Sequence, residues 1–171
     1  MTQTYSPAIT SKTVTYGTKT IDGLSIAYRE AGHPSSPKLV LLHGWHSSSH
    51  QYRKLIPALA DRFHLISPDY PGFGNSDTPD PAIFSYSFDR IAEVVEHFLA
   101  AMGFDKFGLY VQDYGGPVGF RIITKKPEVL EWLIVQNTNA YEIGLARHGA
   151  VFGTRYGWIA ARPMRPVRRA Y

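Results

Sequence analysis

Cysteine is absent from the sequence, and so is any long apolar run. The lack of cysteine excludes a disulfide framework, a thiolate metal site and a cysteine nucleophile. No apolar stretch is long enough to cross a bilayer, and residues 1–6 lack the positive charge and the apolar run of a signal peptide. We therefore expect a cytoplasmic protein with no membrane partner.

Apolar residues are plentiful in total, although they are dispersed. The chain has 171 residues, of which 44% are hydrophobic and 13% are aromatic. A chain of this length and composition has the surface to bury a substantial core. The composition therefore predicts a single globular domain and excludes a disordered protein.

Acidic residues are missing from the last 25 positions. Residues 147–171 contain six arginines, no lysine and no acid, whereas residues 1–146 contain 12 basic and 14 acidic residues. The body of the chain therefore gives no reason to expect a nucleic-acid partner. Because arginine, alanine, glycine and proline dominate residues 146–171, we interpret this tail as the product of a shifted reading frame or a truncation. Binding of nucleic acid or anionic lipid by the tail is the alternative.

Strand and helix patterns alternate along the body of the chain. The pair Asp22-Gly23 between β-branched and aromatic runs predicts an edge hairpin. The predicted strands cover residues 13–16, 24–28, 38–42, 63–67, 107–111 and 132–135. Apolar residues three and four apart predict helices over residues 52–59, 91–99 and 117–125. This alternation predicts an α/β fold with a mostly parallel sheet and helices on both faces.

Three loops directly follow predicted strands, which is where the ligands of an open parallel sheet bind. They span residues 43–46, 69–77 and 112–116. In the third loop the strand reverses at once into a helix between small residues, with Asp113 at the apex. Such a turn predicts an exposed, strained residue above a helix N-terminus. Asp113 is therefore the candidate catalytic residue, and a capping aspartate is the alternative.

These loops resemble the α/β-hydrolase superfamily, and within it the branch with an aspartate nucleophile, which includes haloalkane dehalogenases and epoxide hydrolases. The matching motifs are His43-Gly44, the D-x-P-G-x-G-x-S loop from Asp69 to Ser76, and the turn at Asp113. The resemblance implies the α/β-hydrolase fold for residues 1–145. We expect that fold to be incomplete, without the cap domain and the C-terminal strands of the family.

The resemblance also implies a reaction through a covalent ester, without a cofactor or a metal. A carboxylate at Asp113 is charged near neutral pH and can displace a halide or open an epoxide at saturated carbon. The backbone N–H groups of Trp45 and Tyr114 would stabilise the oxyanion formed when water hydrolyses that ester. The expected partner is a small apolar substrate. The supporting residues implied by the resemblance are His43, Gly44, Gln112 and Gly115.

Several positions depart from the family. Tyr114 stands where dehalogenases usually have a halide-binding tryptophan, Trp45 where they often have an asparagine, and His46 where both enzymes usually have a proline. Asn137 occupies one of the family's positions for the catalytic acid, and the family's histidine base lies near its C-terminus. We therefore expect a chain that is inactive in turnover, with haloalkane and epoxide both open as substrates. A non-catalytic binding protein or remnant on the same fold is the alternative.

Other polar residues of these loops have simpler interpretations. Histidines at positions 43, 46 and 50 are spaced like metal ligands, but no carboxylate or cysteine lies nearby, so a metal site is the weaker hypothesis. His43 is better interpreted as a scaffold of its loop. Asp69 and Ser76 are expected to hold the second loop through hydrogen bonds to its backbone.

Overall fold

Apolar runs without polar interruption form the centre of the sheet. The computed structural model describes residues 12–140, and in this range the last four residues of the run Lys38–Leu42 are all buried. The strands are β1 (Thr15–Ile21), β2 (Leu24–Ala31), β3 (Lys38–Leu42), β4 (His64–Pro68), β5 (Phe107–Gln112) and β6 (Leu130–Gln136). The helices are α1 (Leu55–Leu59), α2 (Phe88–Ala101) and α3 (Gly115–Lys125), and 3₁₀ turns span Ser49–Tyr52 and Pro127–Val129.

The strands form one sheet in the order β1-β2-β4-β3-β5-β6. β3 runs parallel to β4 and β5, and β5 runs parallel to β6, whereas β2 is antiparallel to β1 and β4. The predicted edge hairpin is confirmed, with positive φ angles of 51° at Asp22 and 82° at Gly23, as a tight type I′ turn requires. Because β3, β4 and β5 are parallel neighbours, their carboxyl ends lie at the same end of the sheet, and the loops that follow them lie side by side.

Both faces of the central strands are buried, as a continuous apolar run predicts. Along β3, Leu39 and Leu41 face one core cluster, which is covered by α1 and the 3₁₀ turn before it. Val40 and Leu42 face the other cluster, which is built largely by α2 and α3. Helices therefore cover both faces, and the expected mostly parallel α/β architecture is confirmed.

The apolar stripe of α2 packs one of these faces, and its ends have clear signals. Ser87 caps the helix, since its hydroxyl accepts a hydrogen bond from the Arg90 N–H at 3.2 Å. Gly103, with a φ of 73°, lets the chain leave the helix. At 14 residues α2 is too short to span a bilayer, and the other helices within residues 12–140 do not qualify either.

Several element ends differ from the sequence expectations. β1 begins at Thr15 and continues to Ile21, because every residue of the strand pairs across the hairpin. The helix predicted over residues 52–59 is instead a 3₁₀ turn followed by the five residues of α1. Residues three apart share a face in both helix types, so the apolar spacing does not distinguish them. The predicted boundary at residue 145 and the arginine-rich tail lie outside the described residues.

Small residues allow α3 to lie close against the sheet. A Cβ on Gly115 would lie 2.2 Å from the backbone oxygen of Leu42, and a Cβ on Gly119 would lie 2.7 Å from Cγ1 of Val111. Both distances are shorter than a normal van der Waals contact, so the absence of a side chain at these two positions allows the close approach. As a result, the N-terminus of α3 contacts the end of β3.

β6 forms one edge of the sheet among the residues described, where it pairs with β5. Leu133, Ile134 and Val135 are 38%, 44% and 51% exposed. Aliphatic side chains on both faces are typical of a strand inside a parallel sheet. Among the described residues, β6 therefore has the sequence of an interior strand but pairs on one side only.

Candidate active site

Asp113 lies at the apex of the turn between β5 and α3, called here the elbow (residues 112–116). Its φ of 51° is the left-handed conformation, which is strained for a residue with a side chain, and its side chain is exposed. The Asp113 N–H donates to the Asn137 carbonyl at 3.2 Å, and the Thr138 hydroxyl donates to the Asp113 carbonyl. The Gly116 N–H donates to the same carbonyl at 3.1 Å. These three hydrogen bonds stabilise the strained turn.

The loop after β3 (residues 43–46, called here the oxyanion loop) directs a backbone donor at the Asp113 carboxylate. The Trp45 N–H donates to Oδ1 of Asp113 over 2.7 Å. Gly44 permits this approach, because a Cβ there would lie 2.7 Å from Oε1 of Gln112 and 3.0 Å from Cβ of Asp113. The structure therefore brings together four of the residues predicted from sequence, which come from two loops 68 residues apart.

His43 lies beneath the oxyanion loop and is fully buried. Its Nδ1–H donates to the Gly44 carbonyl at 2.9 Å, and its Nε2 accepts from the Tyr70 N–H at 3.5 Å. The ring stacks on the Tyr70 ring with the centroids 4.0 Å apart. Burial lowers the pKa of His43 from 6.5 to about 4, so the imidazole is neutral at pH 7. These contacts fit a scaffold residue, since neither ring nitrogen is directed at Asp113.

Tyr114 follows Asp113, and its side chain packs within a cluster of aromatic rings. The ring lies 4.5 Å from the Phe88 ring and 5.5 Å from the Phe73 ring, centroid to centroid. Burial, with a smaller contribution from the charge of Asp113, raises the pKa of the Tyr114 phenol to about 12. The phenol is therefore protonated at neutral pH. This cluster gives the carboxylate an apolar neighbour on the α2 side.

Gln51 is a residue of the site that the sequence did not indicate. Its Oε1 accepts from the Gly44 N–H at 3.1 Å, and its Nε2 donates to Oε1 of Gln112 at 2.6 Å. Gln112 precedes Asp113 and is itself one of the predicted supporting residues. Gln51 thus links the oxyanion loop to the elbow. Its spacing from other polar residues is irregular, so the sequence contains no signal for this role.

The second loop is held as the sequence predicts. The Asp69 carboxylate is buried and accepts from the Ser49 N–H at 2.6 Å and from the Asn75 N–H at 2.9 Å. The Ser76 hydroxyl donates to the Asp69 carbonyl at 2.7 Å and accepts from the Ala27 N–H at 2.9 Å. Asp69 and Ser76 therefore fasten residues 69–76 to β2 and to the 3₁₀ turn after the oxyanion loop.

Histidine–carboxylate pairs occur within residues 12–140, but not at Asp113. His64 contacts Glu30 at 2.6 Å at the start of β4, which is the end of the parallel strands opposite to Asp113. His97 on α2 contacts Asp22 in the hairpin turn at 3.0 Å. Asn137, at the end of β6, contacts Asp113 through its backbone carbonyl. Within residues 12–140 the structure thus places a carboxylate and a backbone donor together, and the described histidine–carboxylate pairs lie elsewhere.

The histidine spacing in the oxyanion loop does not correspond to a metal site in the part of the chain that the structure describes. Within residues 12–140, no three His, Asp or Glu side chains converge as metal ligands would. His43 directs its nitrogens at backbone groups, and Nδ1 of His50 accepts from Nη2 of Arg29 at 3.0 Å. These side chains serve the packing of the loop.

Comparison with known proteins gives a consistent family. The sequence model of the family described as alpha/beta hydrolase fold matches residues 37–161. The chain is 46% identical over 124 residues to an uncharacterized hydrolase of Saccharomyces cerevisiae, covering 72% of this chain and 42% of that protein. It is 35% identical over 127 residues to a soluble epoxide hydrolase of a Corynebacterium species, covering 73% of this chain and 42% of the relative.

A solved structure agrees with these relatives. The haloalkane dehalogenase DbeA-M1 loop variant from Bradyrhizobium elkanii superimposes with a TM-score of 0.67 at 30% sequence identity, covering 71% of this chain and 40% of that one. The chain thus spans about two fifths of the length of the proteins that it matches.

Proposed function

Because the chain belongs to the α/β-hydrolase fold family, we propose that Asp113 is the nucleophile of a hydrolase that acts on a small haloalkane or epoxide. The observation that carries this proposal is the 2.7 Å hydrogen bond from the Trp45 N–H to Oδ1 of Asp113. The bond holds one carboxylate oxygen, at the apex of a strained and exposed turn, and leaves Oδ2 for attack. A helix cap would not need a donor from a separate loop.

The first step forms a covalent ester. An oxygen of Asp113 attacks the saturated carbon, the new C–O bond forms as the C–Br bond breaks, and bromide leaves with the electron pair. With an epoxide, the ring C–O bond breaks instead, and the resulting alkoxide takes a proton from water. Hydrolysis of the ester would then place negative charge on the former carboxylate oxygen, next to the Trp45 N–H and, as the resemblance implies, the Tyr114 N–H.

The second step needs a base to deprotonate water. Within residues 12–140 the histidine–carboxylate pairs lie away from Asp113. We therefore propose that this chain forms the ester and does not release it. A non-catalytic binding role for the site around Asp113 is the second candidate. The observation that the described histidine–carboxylate pairs lie away from Asp113 favours it too.

We propose that the protein acts in the cytoplasm, without a membrane or nucleic-acid partner. The charge of residues 1–146, in which 14 acidic residues exceed 12 basic ones, supports only the part of this proposal that concerns polyanionic partners. A net negative charge gives these residues no electrostatic attraction for nucleic acid or anionic lipid.

Mass spectrometry of the intact chain tests the nucleophile. After incubation with a short bromoalkane, or separately with a short epoxide, we expect one adduct per chain, located on Asp113 by peptide mapping. Asp113→Asn should remove the adduct, since a neutral amide is a poor nucleophile of nearly the same shape. The matched control is Asp105→Asn, because Asp105 is exposed in the loop before β5 and should leave the adduct unchanged.

Three outcomes decide between the candidates. An adduct that persists in Asp113→Asn, or its absence from a folded chain with both probes, contradicts the nucleophile and favours the binding role. Bromide released in many-fold excess over protein, and lost in Asp113→Asn, supports the nucleophile but contradicts the expected arrest. That result would require a histidine base that does not contact Asp113 here, and His148 would then be the first residue to substitute.

A further inference from the structure

Gln51 occupies a position between the two loops that form the site. It lies in the 3₁₀ turn Ser49–Tyr52 and is half-buried. One amide group contacts both loops, because Oε1 accepts from the Gly44 N–H at 3.1 Å and Nε2 donates to Gln112 Oε1 at 2.6 Å. Gly44 precedes Trp45, and Gln112 precedes Asp113. Each contact is therefore one residue away from one partner of the Trp45–Asp113 hydrogen bond.

The turn that carries Gln51 is itself held in place. The Tyr52 hydroxyl donates to the Leu42 carbonyl at 2.8 Å, at the end of β3. The Ser49 N–H donates to Oδ1 of Asp69 at 2.6 Å. Since the residues on both sides of Gln51 are bonded to the sheet and to the second loop, the amide group has a rigid base.

We propose that Gln51 is a positioning residue that aims the Trp45 N–H at the Asp113 carboxylate. This inference rests on the proposed function, in which that N–H orients the attacking carboxylate and later stabilises the oxyanion. The backbone of a loop does not hold a donor in one direction by itself, and a donor misplaced by about 1 Å loses much of its effect. The Gln51 amide fixes the spacing of the two loops on either side of the reacting group.

The contact geometry also shows why an apolar side chain would not replace Gln51. The Gly44 N–H points at Oε1 of Gln51, in a partly buried position. Removing that acceptor leaves the Gly44 N–H without its side-chain partner, which favours a rotation of the His43–Gly44 peptide toward solvent. Such a rotation changes the backbone angles at Gly44, and the Trp45 N–H in the following peptide would then turn away from Asp113.

Two variants of the full chain separate positioning from packing. Gln51→Met keeps the length and apolar stem of the side chain but has neither hydrogen-bonding group. Gln51→Glu keeps the acceptor for Gly44, and the Gln112 amide can rotate to donate its Nε2 hydrogen to the new carboxylate. Lys54→Met, on the exposed side of the same segment, is the matched control for a loss of polarity.

The first measurement is amide hydrogen exchange by NMR, which needs no substrate. In Gln51→Met we expect the Gly44 and Trp45 amides to exchange about tenfold faster, equivalent to the loss of about one hydrogen bond. The amides of Leu41 and Leu109, in β3 and β5, should keep their exchange rates. Gln51→Glu should restore the protection of Gly44 and Trp45, and Lys54→Met should not alter it.

The second measurement is the rate at which the bromoalkane adduct forms on Asp113. We expect about a tenfold decrease in Gln51→Met, again the equivalent of about one hydrogen bond. The decrease should persist at saturating bromoalkane, because Gln51 orients the reacting group and does not touch the substrate. Gln51→Glu should recover part of the rate.

The two measurements distinguish the failure of each proposal. Unchanged Trp45 exchange and an unchanged adduct rate in Gln51→Met overturn the role of Gln51 and leave the nucleophile intact. Equal acceleration of all four amides also overturns it, because Gln51 would then act through global stability. A third outcome is that neither the wild-type chain nor any variant forms an adduct, while the exchange rate of the Trp45 amide still depends on the residue at position 51. That outcome supports the positioning role of Gln51 and contradicts the role of Asp113 as a nucleophile.

Discussion

His43 is the residue whose protonation should most strongly change the stability of the fold. Its pKa falls from 6.5 in an unfolded chain to about 4 in the folded one because of burial. Between these values the unfolded state binds more protons than the folded state. The stabilising effect of the neutral ring is therefore complete above pH 6.5, decreases as the pH falls toward 4, and is about 3 kcal/mol in total.

Urea unfolding across this range provides the test. We expect the free-energy difference between the wild-type chain and His43→Gln to shrink by about 3 kcal/mol from pH 7 to pH 4, since glutamine does not titrate. A constant offset for His43→Gln over the whole range would contradict the neutral, buried ring.

The sequence predicts Asp113 and Trp45 but not the residues that hold them in place. Asp113 follows an apolar run at a turn into a helix, and the role of the Trp45 N–H is implied by the resemblance to the α/β-hydrolases. Gln51 and Thr138 have no such signal. Gln51 bonds to Gln112, 61 residues away, and Thr138 bonds to a backbone carbonyl 25 residues away. Only the register of the folded sheet shows that these contacts exist.

The close approach of α3 to the sheet should depend on two glycines in different ways. A Cβ on Gly115 would collide with the backbone oxygen of Leu42 at 2.2 Å, whereas a Cβ on Gly119 would meet the side-chain methyl groups of Val111 and Leu109 at 2.7 and 3.1 Å. Side chains can change rotamer, but the backbone of a central strand cannot move. Gly115→Ala should therefore destabilise the protein by more than about 2 kcal/mol.

Gly119→Ala is the matched substitution one turn along α3. Its steric cost is offset in part by about 1 kcal/mol of helix propensity, so we expect a smaller loss of stability than for Gly115→Ala. Thermal unfolding followed by circular dichroism would compare the two. Equal losses would mean that α3 shifts as a rigid body and that Leu42 does not limit its approach.

Element types are more predictable than element ends. The six strands follow from short apolar or alternating runs, and the two long helices follow from apolar residues three and four apart, with Gly103 marking the end of α2. The spacing of Tyr52, Leu55 and Leu59, three and four residues apart, predicts one helix for the segment after the oxyanion loop. Here Tyr52 instead ends a 3₁₀ turn, with its hydroxyl bonded to Leu42. Residue spacing does not distinguish a 3₁₀ turn from an α-helix here, and the tertiary contact of Tyr52 favours the 3₁₀ turn.

In the part of the chain that the structure describes, no strand pairs with the outer side of β6, and we therefore expect protein molecules to associate there. Leu133, Ile134 and Val135 are all more than a third exposed, on a strand that pairs with β5 among the residues described. An exposed apolar edge is a template for pairing with another sheet. We expect sedimentation velocity to show concentration-dependent oligomers, reduced by Val135→Lys. Ile83→Lys, at a position that is 84% exposed outside the sheet, should leave the distribution unchanged. Equal oligomerisation in both variants would contradict an interface at β6.

The distribution of charge gives a second prediction for the whole chain. Residues 147–171 hold six arginines, whereas acids exceed bases in residues 1–146. Any binding to duplex DNA at low salt should therefore be lost when the six arginines are replaced by glutamine, and should weaken steeply with added salt. Fluorescence anisotropy at two salt concentrations measures this. Salt-sensitive binding by the glutamine variant would locate a basic surface in the body.

The order of the strands was beyond the sequence alone. Alternating patterns predict parallel strands and a hairpin, but they do not state that β4 lies between β2 and β3. That order depends on which edges the crossover connections reach, and on the antiparallel pairing of Glu30 with Ile66. The residue patterns alone predict the α/β fold class, whereas the α/β-hydrolase fold itself is implied only by the resemblance to that family.

The hydrogen bonds of the elbow form at different times during protein synthesis. The chain leaves the ribosome from its N-terminus, so β3, β4 and β5 are available for pairing before residues 137 and 138 are made. The Asp113 backbone is bonded to these late residues, through the Asn137 carbonyl and the Thr138 hydroxyl. Until Thr138 has been made, a nascent chain therefore lacks two of the three hydrogen bonds that hold the Asp113 backbone. The elbow is thus among the last parts of the described fold to acquire all of its hydrogen bonds.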